Sequence, residues 1–333
     1  MKKRVALIGG GSGCEREISL IGCEFVLSVI DRGKYEVLNI RIEKGGEWIL
    51  SDGNEEKTVY PVRLKEENGF FDGERVIPVD CAFPLLHGDF GEDGRIQGVL
   101  DTAGIKYVGC GTLSGSLAAD KILTKIVAER LGIQTVPWIM RCDGKIGLNS
   151  ARRIAEEELG YPMFIKPAGL GSSVGAMPVR SEKDFDSAYL NAAAYSDRIL
   201  IERMLTDKRE IEVGVLITGK KRVITHPGEI ISSDFYSYEE KYLTKKTKIL
   251  THAPLDQKIS RLAARYSERL IDTLSIRHLS RIDFFLSGGS LYLNEINTMP
   301  GFTEDSLYPR LIQEYGITPR ELLSLLIEEA IGE

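Results

Sequence analysis

Three short stretches of this chain carry side chains that could do chemistry together. In "SRIDFFLSGGSLYLNEIN", residues 280–297, period-2 alternation puts Arg281 and Asp283 on one face of a strand, and Glu295 and Asn297 on one face of the next. Oxygen ligands on neighbouring strands suit magnesium. For Asp283 and Glu295 to lie directly opposite, the connection must hold an odd number of residues, so the pattern predicts a three- or five-residue loop around Gly288 and Gly289. The competing reading is a solvated sheet face. Against it, "RID" and "NEIN" are embedded in strongly apolar strands, where lone carboxylates are costly, and a metal with nucleotide phosphate would satisfy them.

The second stretch, "FIKPAGLGSSVGA" at 164–176, places Lys166 at the end of a strand and a Gly/Ser loop after it. Loop amides can close on phosphate oxygens while the lysine supplies a point charge, although an ordinary mobile turn would read the same way. It is not a Walker A loop, whose pattern is missing from the chain. The third, "VALIGGGSGCEREIS" at 5–19, opens like a dinucleotide-binding turn. Gly9 and Gly11 fit the first two glycines of that fingerprint, but the third position is Cys14. An NAD-dependent oxidoreductase is therefore a distant alternative, with only Asp31 and Glu36 in the window for a ribose-binding acid.

The elements that must position these residues alternate at first: "RVALIGG", the periodic "ISLIGCEFVLSVI", "YEVLNIRI", "CAFPLLHG" and "IKYVGCG". That alternation predicts a doubly wound parallel-sheet α/β domain over 1–110. Residues 44–78, polar and glycine-containing with short strand candidates, read as a surface hairpin insertion. From Thr112 the character changes. "DKILTKIVAERLG" has apolar residues at 122, 123, 126, 127 and 131 and a stop at Gly132; "SARRIAEEELG" has Ser150 as N-cap and Gly160 past its end. Strands "PMFIKPA", "RILIERML" and "REIEVGVLITGKKRVI" follow, then a polar stretch 232–250, a helix near 256–274 and a closing helix from Pro319.

The chain has 333 residues, 43% of them hydrophobic, with a net charge of −6. Such a balance gives no support for nucleic acid or an anionic membrane as partner. No apolar run approaches a membrane span and no signal peptide opens the chain, so the expected location is cytoplasmic. The five cysteines, Cys14, Cys23, Cys81, Cys110 and Cys142, include no C-x-x-C pair and read as free thiols.

Taken in order, "CEREISL", "FPLLHGDFGEDGRIQG", "AADK", "FIKPAGLGSSVG", "REIEVGVL", "FYSYEEKYL", "SRIDFFL" and "NEINTMPGFTEDSLYP" resemble the D-alanine–D-alanine ligases of the ATP-grasp superfamily over nearly the whole chain. The resemblance implies a domain at 1–110, a central ATP-grasp subdomain at 111–205 and a C-terminal one at 206–333 with a lid loop at 232–250. It also implies ATP, two magnesium ions (for which manganese could substitute), small-molecule substrates and a homodimer. ATP would phosphorylate one D-alanine carboxylate, and the amine of a second D-alanine would attack the acyl phosphate; relatives use D-serine or D-lactate as acceptor.

By the same resemblance, Lys121, Lys166 and, from the lid, Lys241 would contact ATP phosphates, with Ser172 and Ser173 in the phosphate loop. Glu202, with the backbone of Arg203 and Leu205, would recognise adenine, and Glu210 rather than Glu212 the ribose. Asp283, Glu295 and Asn297 would hold the metals, and Arg281 with the amide of Gly301 would stabilise the oxyanion. Glu15 would pair with the ammonium of the first D-alanine, in a set with Ser172 and Tyr242, with His87 nearby. Ser306 and Leu307 would receive the second carboxylate. Tyr236 and Tyr238 are assigned to surface packing. Departures from the family pattern are Leu170, Gly22-Cys23, and Glu304 and Asp305 beside Ser306, from which altered affinity for the second amino acid is expected.

Overall fold

The computed structural model describes residues 2–53, 55–64, 67–142, 147–231 and 248–332. Its first sheet has the order β4-β3-β2-β1-β8, formed by β1 (Lys3–Gly10), β2 (Tyr35–Ile42), β3 (Trp48–Asp52), β4 (Glu55–Thr58) and β8 (Cys81–Pro84). β1 runs parallel to both β2 and β8, and helix α1 (Arg16–Val29) makes the crossover that a parallel pair requires. Its buried strands are the unbroken apolar runs of the sequence: Val5 to Ile8 are at most 1% exposed. "IKYVGCG" forms no strand; Tyr107 makes one isolated parallel bridge to Ala82.

Residues 44–78 are not a surface hairpin. They add β3 and β4 to the first sheet and build a second, antiparallel sheet from β5 (Tyr60–Leu64), β6 (Glu67–Phe71) and β7 (Val76–Pro78). Trp48, Leu50, Val59 and Phe70 are buried against Ile40, Ile96 and Leu100, the last two on α2 (Arg95–Thr102). The reading failed because short apolar clusters among many polar residues, with Trp48, Leu50, Val59 and Phe70 buried, anchor the segment.

After α3 (Thr112–Ala119) and α4 (Lys121–Arg130), a third sheet has the order β11-β10-β12-β9, from β9 (Trp138–Cys142), β10 (Met163–Pro167), β11 (Met177–Val179) and β12 (Arg198–Arg203). Helices α5 (Leu148–Glu158) and α6 (Glu182–Ala193) cover it through Ala155, Phe185 and Ala188. Helix α5 starts two residues before Ser150, with Gly147 as its N-cap, so Ser150 lies in the first turn; Gly160 (φ +69°) ends the helix as expected.

The fourth sheet contains β13 (Arg209–Thr218), β14 (Lys221–Ile224), β15 (Gly228–Ile231), β16 (Lys248–Leu250), β17 (His278–Ser287) and β18 (Ser290–Asn297). The helix Gln257–Leu274 packs on it through Tyr266, Leu270 and Ile271, and Leu307–Gln313 and Pro319–Gly332 close the chain. Cys14, Cys23, Cys81 and Cys110 take part in no disulfide among the described residues.

Candidate active site

The β17–β18 turn is two residues long, not three or five. Gly288 (φ +55°) and Gly289 (φ +76°) both occupy the left-handed region, as a type I′ turn requires. Ser287 pairs with Ser290, and that register continues to Phe284 with Leu293; it then shifts, so that Asp283 opposes Glu295. The odd residue demanded by parity is Asn294, a bulge inside β18 rather than part of the loop. Asp283 and Glu295 therefore do share a face.

Around them the geometry is tight. Arg281 chelates Asp283 through Nε–Oδ1 and Nη2–Oδ2 bonds of 2.8 Å each, and its Nε lies 2.8 Å from Glu212 Oε2. Asn297 donates to Asp283 Oδ2 at 2.9 Å. Burial opposes the Arg281 charge, but Asp283 and Glu212 hold its pKa well above the usual arginine range. Glu295 lies 3.1 Å from Lys121 Nζ, which also donates to Leu170 O at 2.8 Å. Among the described residues no three His, Cys, Asp or Glu side chains form a metal cluster. The donor set is instead two carboxylates and an amide, which is the sparse oxygen set magnesium accepts when phosphate supplies the remaining ligands.

Helix α4 carries Lys121 because Asp120 caps it, accepting from Leu123 N at 2.9 Å. Its buried face differs from the apolar pattern: Ile126 is 46% exposed, whereas Lys121 and Lys125, one turn apart, face inward. Glu202 of β12 sits between Lys125 and Lys166, each at 2.5 Å. Burial would raise its pKa, but Lys125 and Lys166 together bring it to about 2.

The loop after β10 turns through two non-glycine residues in the left-handed region, Ser172 (φ +49°) and Ser173 (φ +62°). Each such position costs of order 1–3 kcal/mol and persists where the surroundings fix it. Here Ser172 Oγ donates to the Glu15 carboxylate, so the loop is tied to the first sheet. Glu15 stands before α1 but makes no capping bond with its side chain. Its backbone is set by the glycine loop: a Cβ on Gly10 (φ +90°) would meet Ile42 O at 2.5 Å. Arg16 pins the same loop, donating to Gly11 O at 3.0 Å, to Ile42 O, and to Glu43 at 2.6 Å. The glycines thus serve close packing on β2 and lead to a carboxylate.

His87 donates from Nδ1 to Met299 O at 2.9 Å, and burial lowers its pKa. Glu92 accepts from Met299 N at 2.9 Å and Gly88 N at 2.8 Å; burial and the nearby Glu15 push its carboxyl up to about 8. Ser306 Oγ accepts from Thr303 N at 2.9 Å, and Leu307 packs its side chain on Ile230 and Leu311, which leaves only its backbone for a ligand.

One cleft of about 700 Å³ gathers these groups: Glu15, His87, Lys121, Lys166, Ser172, Ser173, Glu202, Arg203, Leu205, Glu210, Arg281, Asp283, Glu295, Asn297, Gly301, Ser306 and Leu307 all line it. Glu210 pairs with Lys208, further along β13 from Asp283 than Glu212 is. Lys241, Tyr242, Tyr236 and Tyr238 lie outside the described residues, as does the side chain of Cys142. The sequence reading missed Lys125, Glu92 and Arg16. The i, i+4 repeat of Lys121 and Lys125 was the available signal for the first; Glu92 and Arg16 lay inside quoted motifs without an assigned role.

Two sheets flanking a cleft lined by lysines, an arginine and magnesium-type oxygens define an ATP-grasp ligase. Residues 4–110 match the family described as "D-ala D-ala ligase N-terminus" and residues 127–328 "D-ala D-ala ligase C-terminus". The D-alanine–D-alanine ligase of Deinococcus radiodurans is 37% identical over 342 residues, covering 100% of each chain. That of Streptococcus equi subsp. equi is 38% identical over 340 residues, covering 99% of this chain and 96% of its own. Among solved structures, the D-alanyl-alanine synthetase A of Vibrio cholerae superposes with a TM-score of 0.90 at 31% identity, covering 100% of this chain and 99% of that one. The VanG D-Ala:D-Ser ligase of Enterococcus faecalis superposes with a TM-score of 0.89 at 31% identity, covering 99% and 100%. The chain belongs to the D-alanine–D-alanine ligase family and is an ATP-dependent ligase.

Proposed function

We propose that the chain joins two D-alanine molecules to D-alanyl-D-alanine, through an acyl phosphate made from ATP, as a precursor for peptidoglycan. The observation that carries this reading is the Glu15–Ser172 bond. It sets a carboxylate for an amino group in the same cleft as the Arg281–Asp283–Glu295–Asn297 group, so amino-acid and phosphate chemistry meet at one place.

Lys121 and Lys166 orient ATP phosphates, Glu202 and the Arg203–Leu205 backbone take adenine, and Glu210 takes the ribose, because Glu212 is committed to Arg281. Asp283, Glu295 and Asn297 fit two magnesium ions, which when bound would neutralise phosphate charge. Arg281 and the Gly301 amide stabilise the developing oxyanion. Glu15 holds the first ammonium, with His87 neutral beside it, and Ser306 with the Leu307 backbone receives the second carboxylate. Lys241 for ATP phosphate and Tyr242 for the first substrate remain assignments of the family resemblance, both lying outside the described residues. The division 1–110, 111–205 and 206–333, a homodimer and a cytoplasmic location accompany this reading. Among the described residues no helix is long and apolar enough to cross a membrane.

ADP release with D-alanine alone, then with D-serine and D-lactate as second substrates, tests the assignment. D-alanine alone should give ADP and the dipeptide. Turnover only with another acceptor would replace this reading, with Glu304 and Asp305 beside Ser306 as the first place to look.

A further inference from the structure

Lys125 is 0% exposed, one helical turn after Lys121, yet it does not line the cleft. Its ammonium meets Glu202 Oε1 at 2.5 Å, while Lys166 holds Oε2 at the same distance. A wholly buried ion pair is a poor device for stability, since apolar groups of similar volume usually do as well or better. Lys125 can affect a ligand only through its neighbours, and its ion-pair partner among the described residues is Glu202; the two cations on Glu202 differ in kind, since Lys166 lines the cleft whereas Lys125 is sealed behind it.

We propose that Lys125 is a positioning residue that keeps Glu202 ionised and aimed at a 6-amino purine while Lys166 turns to phosphate, and so sets the preference for ATP over 6-oxo purine triphosphates. The inference rests on Glu202 being the adenine acceptor. An ionised carboxylate accepts from a 6-amino group and repels a 6-oxo oxygen. Glu202 is 4% exposed, so without Lys125 it must keep Lys166 away from phosphate or take up a proton. The first outcome weakens ATP and 6-oxo purine triphosphates alike, whereas the second supplies an O–H that donates to a 6-oxo group, so it is the second that lowers the preference for ATP. Burial pulls the Lys125 pKa down and Glu202 opposes it, with Lys166 and Glu129 the other charged groups facing it.

The test is binding of ATP and inosine triphosphate, read by displacement of a fluorescent nucleotide, in the wild type and in K125M. Losing one charge-assisted contact should weaken ATP about tenfold or more. Inosine triphosphate should bind no worse, so the preference for ATP shrinks by about the same factor, and K125R should restore part of it. A folded K125M with the wild-type preference would overturn the proposal. If K125M does not fold, E202Q is compared with K125M/E202Q, which removes the uncompensated carboxylate. Equal nucleotide preference in the two supports action through Glu202, and a further loss in the double variant refutes it. Wild-type turnover with D-alanine, measured alongside, reports on the ligase reading separately.

Discussion

Replacing Gly88 with alanine should damage first-substrate binding far more than it damages the fold. Gly88 sits in a left-handed turn (φ +61°), and a Cβ there would lie 2.1 Å from Glu15 Oε2 and 3.3 Å from its carboxyl carbon. Contact at that separation is repulsive, so the carboxylate must swing away from the position that its bond to Ser172 defines. The loss is a charge-assisted hydrogen bond to the substrate ammonium, worth about 1.5–3 kcal/mol, or about ten- to hundredfold in KM for the first D-alanine. The backbone penalty for alanine in this region, about 1–2 kcal/mol, falls on stability instead. Gly53 supplies the control: its φ is +65° and nothing lies within 4 Å of a Cβ there, so G53A carries a similar backbone cost without touching Glu15. Coupled ADP release over a wide range of D-alanine separates the two substrate constants, and thermal melts report the backbone term. If G88A and G53A lower stability equally and both leave the first KM unchanged, Glu15 is not where the first ammonium binds.

Arg281→Lys keeps the charge but loses the fork that grips Asp283 through two 2.8 Å bonds; turnover should fall about a hundredfold or more while fluorescent-nucleotide binding persists, and wild-type turnover would remove Arg281 from the oxyanion site. Arg16→Ala removes the guanidinium bonds to the carbonyls of Gly11 and Ile42 and should raise the first D-alanine KM about tenfold with the second nearly unchanged; equal shifts in both would make Arg16 a general structural residue. Glu92 gives a pH prediction. Its proton is held up to about pH 8 in the folded chain against 4.5 ordinarily. Its contribution to stability is therefore full below about 4.5 and lost as pH rises through about 8. The melting temperature of E92Q relative to the wild type should accordingly climb from pH 5 to pH 9, and a constant difference would show that Glu92 is ionised throughout.

How much of this could be read from residue order depends on which physical signal carried it. The parallel strands announced themselves because both faces are buried and every residue from Val5 to Ile8 is apolar. The sheet at 60–78 did not, since its anchoring depends on single residues such as Phe70 that meet a partner far along the chain. On α4 the pattern of apolar residues pointed to Ile126 as core, but the helix turns Lys121 and Lys125 inward because Glu295 and Glu202 wait there. Periodicity assumes that charge means solvent. It fails where the interior is itself charged, which is what an anion-binding cleft must be.

The hairpin shows the same limit in a sharper form. Parity correctly required one odd residue between Asp283 and Glu295, but parity cannot say where that residue goes. A Gly-Gly pair with both φ positive matches the right-handed twist of its strands, so the turn closes in two residues and the odd one is displaced into β18. Placing the bulge at Asn294 has a consequence that a longer loop would not have. It breaks the ladder immediately beside Asp283, adds local twist, and carries Glu295 to within 3.1 Å of Lys121 on α4. An odd-numbered loop would have aligned the carboxylates just as well, yet its flexibility would lie at the distant end of the hairpin. The bulge puts the irregularity where side-chain direction matters, which is why the pairing was legible in the sequence and the device that produces it was not.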